Sequence, residues 1–267
     1  MKQTLSAVIA VRDEAEILAG CLKRLDFVDE IVVVVDDRTS DDTAAIAEKA
    51  GAKVFRHTFS TFSDIKNFGI DKATSDWILI IDGDERVPKV SASKILEAIQ
   101  DDSTAGYTMP WDNYFLGHLM KWGDWQETHT RLFQRQTARY EGDIHETLVF
   151  KPDGATIKLL DAPIVHFSHR SITHNVEKTA AWATVQAQEM LDQNWPPVRL
   201  RSLIRVMWRE FYRRLIRKRG YRDGMPGIIE GIYQVCSWFI IYARLWELQQ
   251  NPSLEEQYRK LEDSIDA

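Results

Sequence analysis

The chain has 267 residues, of which 44% are hydrophobic and 28% charged, so it can form one large globular domain or a domain with an appendage. Only Cys21 and Cys236 occur, which excludes a disulfide framework and a cysteine zinc site and favours a reducing cytoplasm. The opening residues lack a small-residue cleavage site, and no uncharged apolar run of about 18 residues follows. We therefore expect neither a signal peptide nor a spanning helix.

The first third of the chain alternates short apolar runs with helical patterns. The predicted strands cover residues 5–11, 30–35, 53–55 and 77–81, and the predicted helices cover 14–25, 42–50 and 62–73. Alternation at this spacing implies right-handed crossovers and a mostly parallel sheet. We therefore predict an α/β fold in which a Rossmann-like, mostly parallel sheet is flanked by helices.

Acidic residues follow two of these strands at the point where each strand ends. Asp36 and Asp37 come after the second strand, and Asp82-Gly83-Asp84 comes after the fourth. In open α/β sheets, ligands bind beyond the carboxyl ends of the strands. Clustered carboxylates repel one another unless a cation or hydrogen-bond donors compensate, and Mg²⁺ or Mn²⁺ commonly shares its ligand shell with substrate phosphates. Gly83 would let a ligand approach the backbone closely.

Two other phosphate sites are not supported by the sequence. There is no Gly-x-Gly-x-x-Gly after the first strand and no Gly-x-x-x-x-Gly-Lys-Ser/Thr motif. An isolated Asp-x-Asp is more often a solvated turn, but here it follows a buried strand and a second acid-tipped strand. The pattern therefore predicts phosphates that are held by a metal rather than by a glycine-rich loop.

The segments LSAVIAVRDEAEIL, EIVVVVDDRTSDDT and WILIIDGDERV resemble glycosyltransferase family 2. The segments NYFLGHLMKWGDWQETHTRLFQR, YEGDIHETL, IVHFSHRS and GYRDGMPGIIEGIY are similar to a branch that contains bacterial lipopolysaccharide-core glucosyltransferases. Together they cover roughly residues 4–248. Three features depart from the family pattern. Asp13 replaces the usual Asn, and Arg38 stands where a glycine is often found. The branch's usual Trp-Tyr-Pro-Asp before Arg-Leu-Phe is here Trp125-Gln126-Glu127, with a different spacing.

The resemblance implies a GT-A fold with a C-terminal helical extension, and an inverting transfer from a nucleotide sugar, usually UDP-linked. It also implies Mn²⁺ or Mg²⁺ bound by Asp84, with His166 as a further metal ligand or, alternatively, a hydrogen-bonded core histidine. The positions that match the family's nucleotide-sugar contacts are Val11, Asp36, Lys66, Asn67, Asp82 and Gly83.

The acceptor hydroxyl is a poor nucleophile, so a carboxylate must take its proton. The resemblance makes Glu127 the first candidate for this base and Asp124 the second, although Asp124 has a plain alternative as a loop cap. The predicted acceptor contacts are Trp122, Trp125, His145 and Glu146. The alternatives are an ion pair of Glu146 with an arginine and aromatic packing of the tryptophans in the core.

The C-terminal third changes character. Residues 199–219 contain eight arginines and Lys218 against Glu210 alone, a net charge of +8, so the remainder carries −14. The pattern over 198–219 predicts a basic amphipathic helix, and an apolar aromatic helix follows over 228–248. Such a pair suggests association with an anionic membrane surface, or else a helical hairpin packed on the catalytic domain or on a second subunit.

We predict a catalytic domain over residues 1–170, with a nucleotide-sugar half to about residue 100 and an acceptor half over 101–170, and a helical region over 171–267. The expected location is cytoplasmic, with peripheral contact at the inner face of the membrane, and an oligomer is possible through the apolar helix.

Four functions stay open at this level. The first is a metal-dependent glycosyltransferase that acts on a glycan or a lipid-linked glycan such as a lipopolysaccharide core. The second is a polyprenyl-phosphate glycosyltransferase. The third is a nucleotidyltransferase, which would normally have a glycine-rich basic loop after the first strand. The fourth is a nucleic-acid-binding protein, against which the pI of about 5.7 weighs.

Overall fold

The computed structural model describes residues 2–58, 61–101, 103–142, 146–151 and 153–265, apart from the side chains of His169 and His174. The chain forms two compact units. The first consists of Met1–Asn113 and Gln126–Ser168, and the second of Tyr114–Trp125 and His169–Ala267. Because the units interleave along the chain, the domains predicted over 1–170 and 171–267 stay a prediction.

Strands and helices alternate in the first part of the first unit, as predicted. The strands are β1 (Leu5–Val11), β2 (Glu30–Asp36), β3 (Lys53–His57), β4 (Trp77–Ile80) and β5 (Glu85–Arg86). The helices are α1 (Ala15–Leu22), α2 (Thr43–Lys49), α3 (Phe62–Lys72) and α4 (Lys89–Ala98). The chain then continues almost entirely in strands: β6 (Gly106–Phe115), β7 (His118–Leu119), β8 (Thr128–Gln134), β9 (Ala138–Glu141), β10 (Thr147–Phe150), β11 (Ile157–Leu159) and β12 (Ile164–His169).

One sheet runs in the order β3-β2-β1-β4-β8-β6-β12-β5. The pairs β3–β2, β2–β1 and β1–β4 are parallel, and β11 also pairs in parallel with β6. The strands β8 and β6 extend the sheet with antiparallel pairing, and β9 and β10 form a separate hairpin. The predicted α/β fold with its helix-flanked parallel sheet is therefore confirmed, and the antiparallel strands extend it.

Both faces of the central strands are buried because their side chains alternate between two cores. One core lies against α1, α2 and α4, and the other lies against α3 and the β9–β10 hairpin. Helix α3 approaches the sheet closely at Gly69, where a Cβ atom would lie 2.5 Å from Cγ1 of Val8. The continuous valine run of β2 thus reflects a strand covered on both sides.

The second unit is mostly helical. Its helices are α5 (Ile172–Asp192), α6 (Leu200–Phe211), α7 (Gly224–Leu248) and α8 (Leu254–Ile265). Helix α6 continues as a π-helical turn over Tyr212–Arg217, and a 3-10 turn follows over Gly220–Asp223. A small core joins α5, α6 and α7 through Ala187, Met190, Val206, Tyr242 and Leu245. Within the described residues, no helix is long and apolar enough to cross a membrane.

Glu30 ties together three segments at the amino ends of the central strands. Its buried carboxylate accepts hydrogen bonds from Oγ of Ser6 at 2.5 Å, from Nζ of Lys53 at 2.6 Å and from the backbone N–H of Thr74 at 2.8 Å. Burial raises the pKa of Glu30, but these bonds outweigh burial and lower the pKa to about 2. The ionised carboxylate therefore stabilises the folded state.

We predict that Glu30→Gln lowers the unfolding free energy by about 1–3 kcal/mol at neutral pH, because buried donors lose a charged acceptor. A carboxyl whose folded pKa is depressed stabilises the fold above its unfolded pKa and loses that effect as pH falls toward the folded pKa. The difference between wild type and variant in urea unfolding should therefore shrink between the ordinary pKa of 4.5 and about 2. A difference that is constant over this range would contradict the assignment.

Candidate functional site

The carboxyl ends of the parallel strands gather the predicted acids at one edge of the sheet. Val11 ends β1 opposite Val35, and Asp36 is the last residue of β2. Strand β4 runs parallel to β1 on its other side, so Asp82 and Asp84 emerge at the same edge. The sheet thereby brings together the two acidic strand ends that the sequence indicated.

Gly83 lies close to the first strand–helix connection. A Cβ atom at Gly83 would lie 1.8 Å from Oε2 of Glu14 and 3.4 Å from Cγ1 of Val11. A side chain here would displace the Glu14 carboxylate and press on the end of β1. The glycine therefore permits a close approach between the Asp82–Asp84 turn and the end of β1.

Arg131 on β8 is a buried cation that binds two acidic residues at this edge of the sheet. Its Nη2 donates to Oδ2 of Asp82 at 2.9 Å and to Oε1 of Glu85 at 3.1 Å, and its side chain is only 7% exposed. The guanidinium also lies over the ring of Trp111, with 4.9 Å between Cζ and the ring centroid. Oε2 of Glu85 accepts the backbone N–H of Asp82 at 2.8 Å, which fixes the turn after β4.

The two carboxyls bound by Arg131 differ in their protonation behaviour. Burial raises the pKa of Asp82, but the charges of Arg131 and Lys66 outweigh burial and hold that pKa well below its usual range. For the fully buried Glu85, burial outweighs the attraction of Arg131, and the pKa is raised. Asp82 is therefore the ionised, partly exposed member of the pair.

Asp84 and His166 are brought together by the pairing of β5 with β12, in which His166 lies opposite Glu85. Nε2 of His166 lies 3.5 Å from Oδ2 of Asp84, and its Nδ1 lies 2.7 Å from Oδ1 of the buried Asn113. Burial lowers the pKa of His166, but its bond to Asp84 outweighs burial and raises the pKa. Because Oδ1 of Asn113 is an acceptor, Nδ1 carries a proton and Nε2 faces the carboxylate.

This pair fits a divalent cation. Metal-binding histidines usually donate their second ring N–H to an oxygen acceptor, as His166 does to Asn113. Within the described residues, no group of three His, Cys, Asp or Glu side chains could hold a metal by itself. A cation between Asp84 and His166 would therefore need oxygen ligands from a diphosphate or from water.

Trp111 connects the Asp84–His166 pair with the predicted base. Its ring centroid lies 4.4 Å from that of His166 and 3.9 Å from that of His129. Nε2 of His129 in turn lies 3.4 Å from Oε2 of Glu127, whose side chain is 52% exposed. The backbone N–H of Trp111 also donates to the carbonyl of Glu127 at 3.1 Å. Glu127 therefore reaches solvent in the same unit as the predicted metal ligands.

Lys66 and Asn67 lie on α3 and have different surroundings. Nζ of Lys66 donates to Oε1 of Glu146 at 2.6 Å and lies 5.0 Å from the ring centroid of Tyr140. Asn67 exchanges two hydrogen bonds with the backbone of Tyr140, at 2.8 and 3.0 Å. The amide of Asn67 thus attaches α3 to β9, whereas Lys66 is a buried cation whose charge acts on Asp82.

Asp36 pairs with Arg38, the arginine at the position where the family often has a glycine. The carboxylate of Asp36 is fully buried, and Arg38 donates to it from Nη2 at 2.7 Å, from Nε at 3.0 Å and from the backbone N–H at 3.0 Å. These hydrogen bonds from Arg38 lower the pKa of Asp36 against the opposing effect of burial. Asp36 is thus an ionised group with its own counter-ion at the edge of the sheet.

The remaining predicted residues fall elsewhere. Asp124, Trp122 and Trp125 belong to the second unit, where Asp124 pairs with Nη1 of Arg213 at 2.6 Å and with Nζ of Lys218 at 3.6 Å. The alternative for Glu146 was an ion pair with an arginine. In the structure Glu146 pairs with Lys66 instead. His145 lies outside the described residues. The acceptor roles predicted for these residues stay predictions.

Sequence reasoning missed three residues that organise the site: Arg131, Asn113 and Glu85. The signal for Arg131 was present, because an arginine within the apolar strand segment Arg131-Leu132-Phe133 must be paired when the strand is buried. Asn113 had no comparable signal, since its role depends on the register between strands that are distant in sequence.

We predict that Arg131→Met lowers the unfolding free energy by about 3–5 kcal/mol, because it leaves the buried Glu85 and the partly exposed Asp82 without their cation. Adding Glu85→Gln should restore part of the loss. Arg139→Met is the matched control, because Arg139 pairs with Asp71 at the surface and should cost under about 1 kcal/mol. Urea unfolding measures all three, and a loss for Arg131→Met no larger than the control would contradict the buried network.

Comparison of the sequence with known proteins identifies the family. The model of the family "Glycosyl transferase family 2" matches residues 6–156. A glycosyltransferase of Rickettsia felis is 26% identical over 260 residues, covering 92% of this chain and 90% of the relative. The lipopolysaccharide core biosynthesis glycosyltransferase LpsC of Rhizobium meliloti is 25% identical over 267 residues, covering 96% and 97%.

Among solved structures, glucosyl-3-phosphoglycerate synthase from Mycobacterium tuberculosis, in complex with Mn²⁺, UDP and phosphoglyceric acid, is 13% identical. The match covers 69% of this chain and 76% of that one, with a TM-score of 0.46. The family model spans more than half of the chain, and the relatives align along nearly all of it. The chain therefore belongs to glycosyltransferase family 2, and it is a glycosyltransferase with the GT-A fold.

Proposed function

We propose that this glycosyltransferase transfers a sugar from a nucleoside diphosphate sugar to a hydroxyl of a glycan or lipid-linked glycan, with a divalent metal and with inversion at the anomeric carbon. The observation that carries the proposal is the Asp84–His166 pair, oriented by Asn113 and set next to the ionised Asp82. A carboxylate and an imidazole that lie beside an open sheet edge can together bind a cation that also binds a diphosphate.

Asp84 and His166 would hold Mn²⁺ or Mg²⁺. The metal would act as a Lewis acid that neutralises the charge developing on the departing nucleoside diphosphate. The chain itself holds the ligands in place: Asn113 orients the imidazole, and the β5–β12 pairing keeps the carboxylate within 3.5 Å of it. A metal ion binds the neutral form of imidazole. Because the Asp84 carboxylate raises the pKa of His166, the metal ion would compete with a proton for this ring.

The nucleotide would bind along the carboxyl ends of β1, β2 and β4. Val11 offers its backbone beside the base, and Asp36 with its Arg38 partner offers charged hydrogen-bonding groups. Asp82 would accept the ribose hydroxyls, and the cation of Lys66 lies where it lowers the pKa of Asp82. Gly83 allows this turn to pack against Glu14 and the end of β1, which keeps Asp82 and Asp84 beside the proposed nucleobase site.

Glu127 is the proposed base. It is exposed, it lies in the same unit as Asp84 and His166, and among the described side chains its carboxylate contacts only His129, at 3.4 Å. Asp124 instead pairs with two cations, Arg213 and Lys218, which occupy both of its carboxylate oxygens. Direct attack by the acceptor oxygen, deprotonated by Glu127 as the diphosphate leaves from the opposite side, inverts the anomeric carbon in one displacement.

The relative named as a lipopolysaccharide core biosynthesis glycosyltransferase supports a cell-envelope glycan as the acceptor class, since it aligns over 97% of its own length. Within that class, a sugar hydroxyl is the proposed nucleophile. Transfer to a polyprenyl phosphate is the competing reaction, and it is distinguished by an acid-labile product that carries a glycosyl phosphate. Detection of that product as the main one would replace the proposal.

We predict that Asp84→Asn and His166→Gln each weaken metal-dependent UDP binding at least about tenfold, because each removes one of two protein ligands. Calorimetric titration with UDP in the presence and absence of Mn²⁺ measures the effect. Asp161→Asn, at a surface carboxylate paired with Lys94, is the matched control and should bind as wild type does. Equal UDP affinity with and without Mn²⁺ in the wild type would refute the metal assignment.

We predict that Glu127→Gln lowers the rate of sugar transfer about 10²–10⁴-fold while UDP and Mn²⁺ affinity stay unchanged, because only proton removal is lost. In the absence of acceptor, the slow transfer of the sugar to water, followed as UDP release from UDP-sugars, gives a first assay. Asp124→Asn should leave UDP release within about tenfold of wild type. The reverse ranking of the two variants would move the base to Asp124.

A further inference from the structure

An exposed stripe of residues runs along α6 and the π-helical turn that continues it, outside the core of the second unit. Five apolar residues recur at intervals of four, and an arginine follows each of them: Leu200-Arg201, Ile204-Arg205, Trp208-Arg209, Tyr212-Arg213 and Ile216-Arg217. The apolar members are 72%, 59%, 63%, 49% and 49% exposed in chain order. We call these ten residues the apolar–arginine stripe. Exposed leucine, isoleucine and tryptophan in one line are unusual for a surface with no partner.

The inward side of the same helix is already occupied. Val206 and Leu215 are buried, and Val206 belongs to the core shared with α5 and α7. Glu210 is also buried and binds Nη2 of Arg213 at 2.6 Å. The opposite face of the helix therefore forms the packing contacts of the second unit. The exposed apolar residues of the stripe do not contribute to the core of that unit.

The helix geometry keeps the apolar residues aligned. An α-helix has about 3.6 residues per turn, so residues four apart drift slowly around the axis. The π-helical turn over Tyr212–Arg217 is wider, which reduces that drift at the end of the stripe. Ile216 accordingly remains exposed with Trp208 and Tyr212 rather than turning inward.

The charge of the stripe is largely uncompensated. Among the residues that the structure describes, none forms an ion pair with Arg201, Arg205 or Arg217, whereas Arg209 and Arg213 contact Glu210. The whole chain carries −6, so this concentration of positive charge is local. A partner of the stripe must therefore combine an apolar phase with a high density of negative charge.

We infer that the apolar–arginine stripe binds the surface of an anionic lipid bilayer. Leucine, isoleucine and tryptophan side chains partition into the boundary between headgroups and acyl chains, while adjacent arginines bind lipid phosphates. Trp208 at the centre of the stripe suits this boundary, because its ring is amphipathic. A nucleic acid would match the charge but would leave the apolar residues exposed to water.

This inference goes beyond the proposed reaction and is independent of it. A membrane-bound enzyme would meet lipid-linked acceptors in two dimensions, but binding of the stripe to lipid requires neither donor nor metal. The inference can therefore fail while the glycosyltransferase assignment stands.

The test is co-sedimentation of the full chain with vesicles, without nucleotide or metal. We expect binding to phosphatidylcholine vesicles that contain about one third phosphatidylglycerol, and little binding to phosphatidylcholine alone. Ile204→Gln/Trp208→Gln should weaken binding at least about tenfold through lost apolar burial. Arg201→Gln/Arg205→Gln should weaken it similarly and reduce its dependence on salt.

The matched control is Tyr258→Gln/Leu261→Gln on α8, whose two apolar residues are similarly exposed but lie on a helix with four acidic and two basic residues. This variant should bind vesicles as wild type does. All substitutions are at exposed positions, and unchanged melting temperatures verify that each variant is folded.

Three results would overturn the inference. The first is no binding of the wild type to anionic vesicles. The second is equal binding by wild type and Ile204→Gln/Trp208→Gln, which would leave only non-specific charge attraction. The third is a wild-type dimer in light scattering that this double substitution converts to a monomer, with no vesicle binding, which would assign the stripe to an interface between copies of the chain.

Discussion

The acidic edge of the sheet in this glycosyltransferase depends on one buried cation. Arg131 is the only described cation within hydrogen-bonding distance of both Asp82 and Glu85, and burying a carboxylate without such a partner would cost several kcal/mol. The network fixes the turn after β4, because Glu85 also accepts the backbone N–H of Asp82. The two acids of the Asp-x-Asp segment therefore have defined directions: Asp82 toward Arg131, and Asp84 toward His166.

The second constraint is strand register. Asp84 meets His166 only because β12 pairs with β5, which places His166 opposite Glu85, 81 positions earlier in the chain. A slip by one residue would turn His166 to the other face of the sheet and separate it from both Asp84 and Asn113. The sheet order thus brings acidic residues and His166, which are distant in sequence, close together. The parallel half of the sheet provides the edge at which a nucleotide can lie.

The sequence predicted the parallel half of the fold well, because β1, β2 and β4 are buried on both faces and read as continuous apolar runs. It also located the acidic strand ends, since the carboxyl ends of parallel strands must share an edge. The antiparallel strands were harder, because β6 and β8 mix polar and apolar residues and their pairing is long-range. The role of Asn113 and the partners of Arg131 follow from that pairing, and the contact of Asn67 with Tyr140 depends on how α3 packs against β9.

We propose that Asp84 and His166 hold a divalent cation together with the nucleoside diphosphate. Electron paramagnetic resonance of Mn²⁺ tests it most directly, by spin-echo detection of nitrogen coupled to the metal in the protein–UDP complex. We expect one imidazole nitrogen coupled to Mn²⁺ when UDP is present, and loss of that coupling in His166→Gln. A Mn²⁺–UDP complex on the protein with no nitrogen coupling, or with coupling that survives His166→Gln, would contradict it.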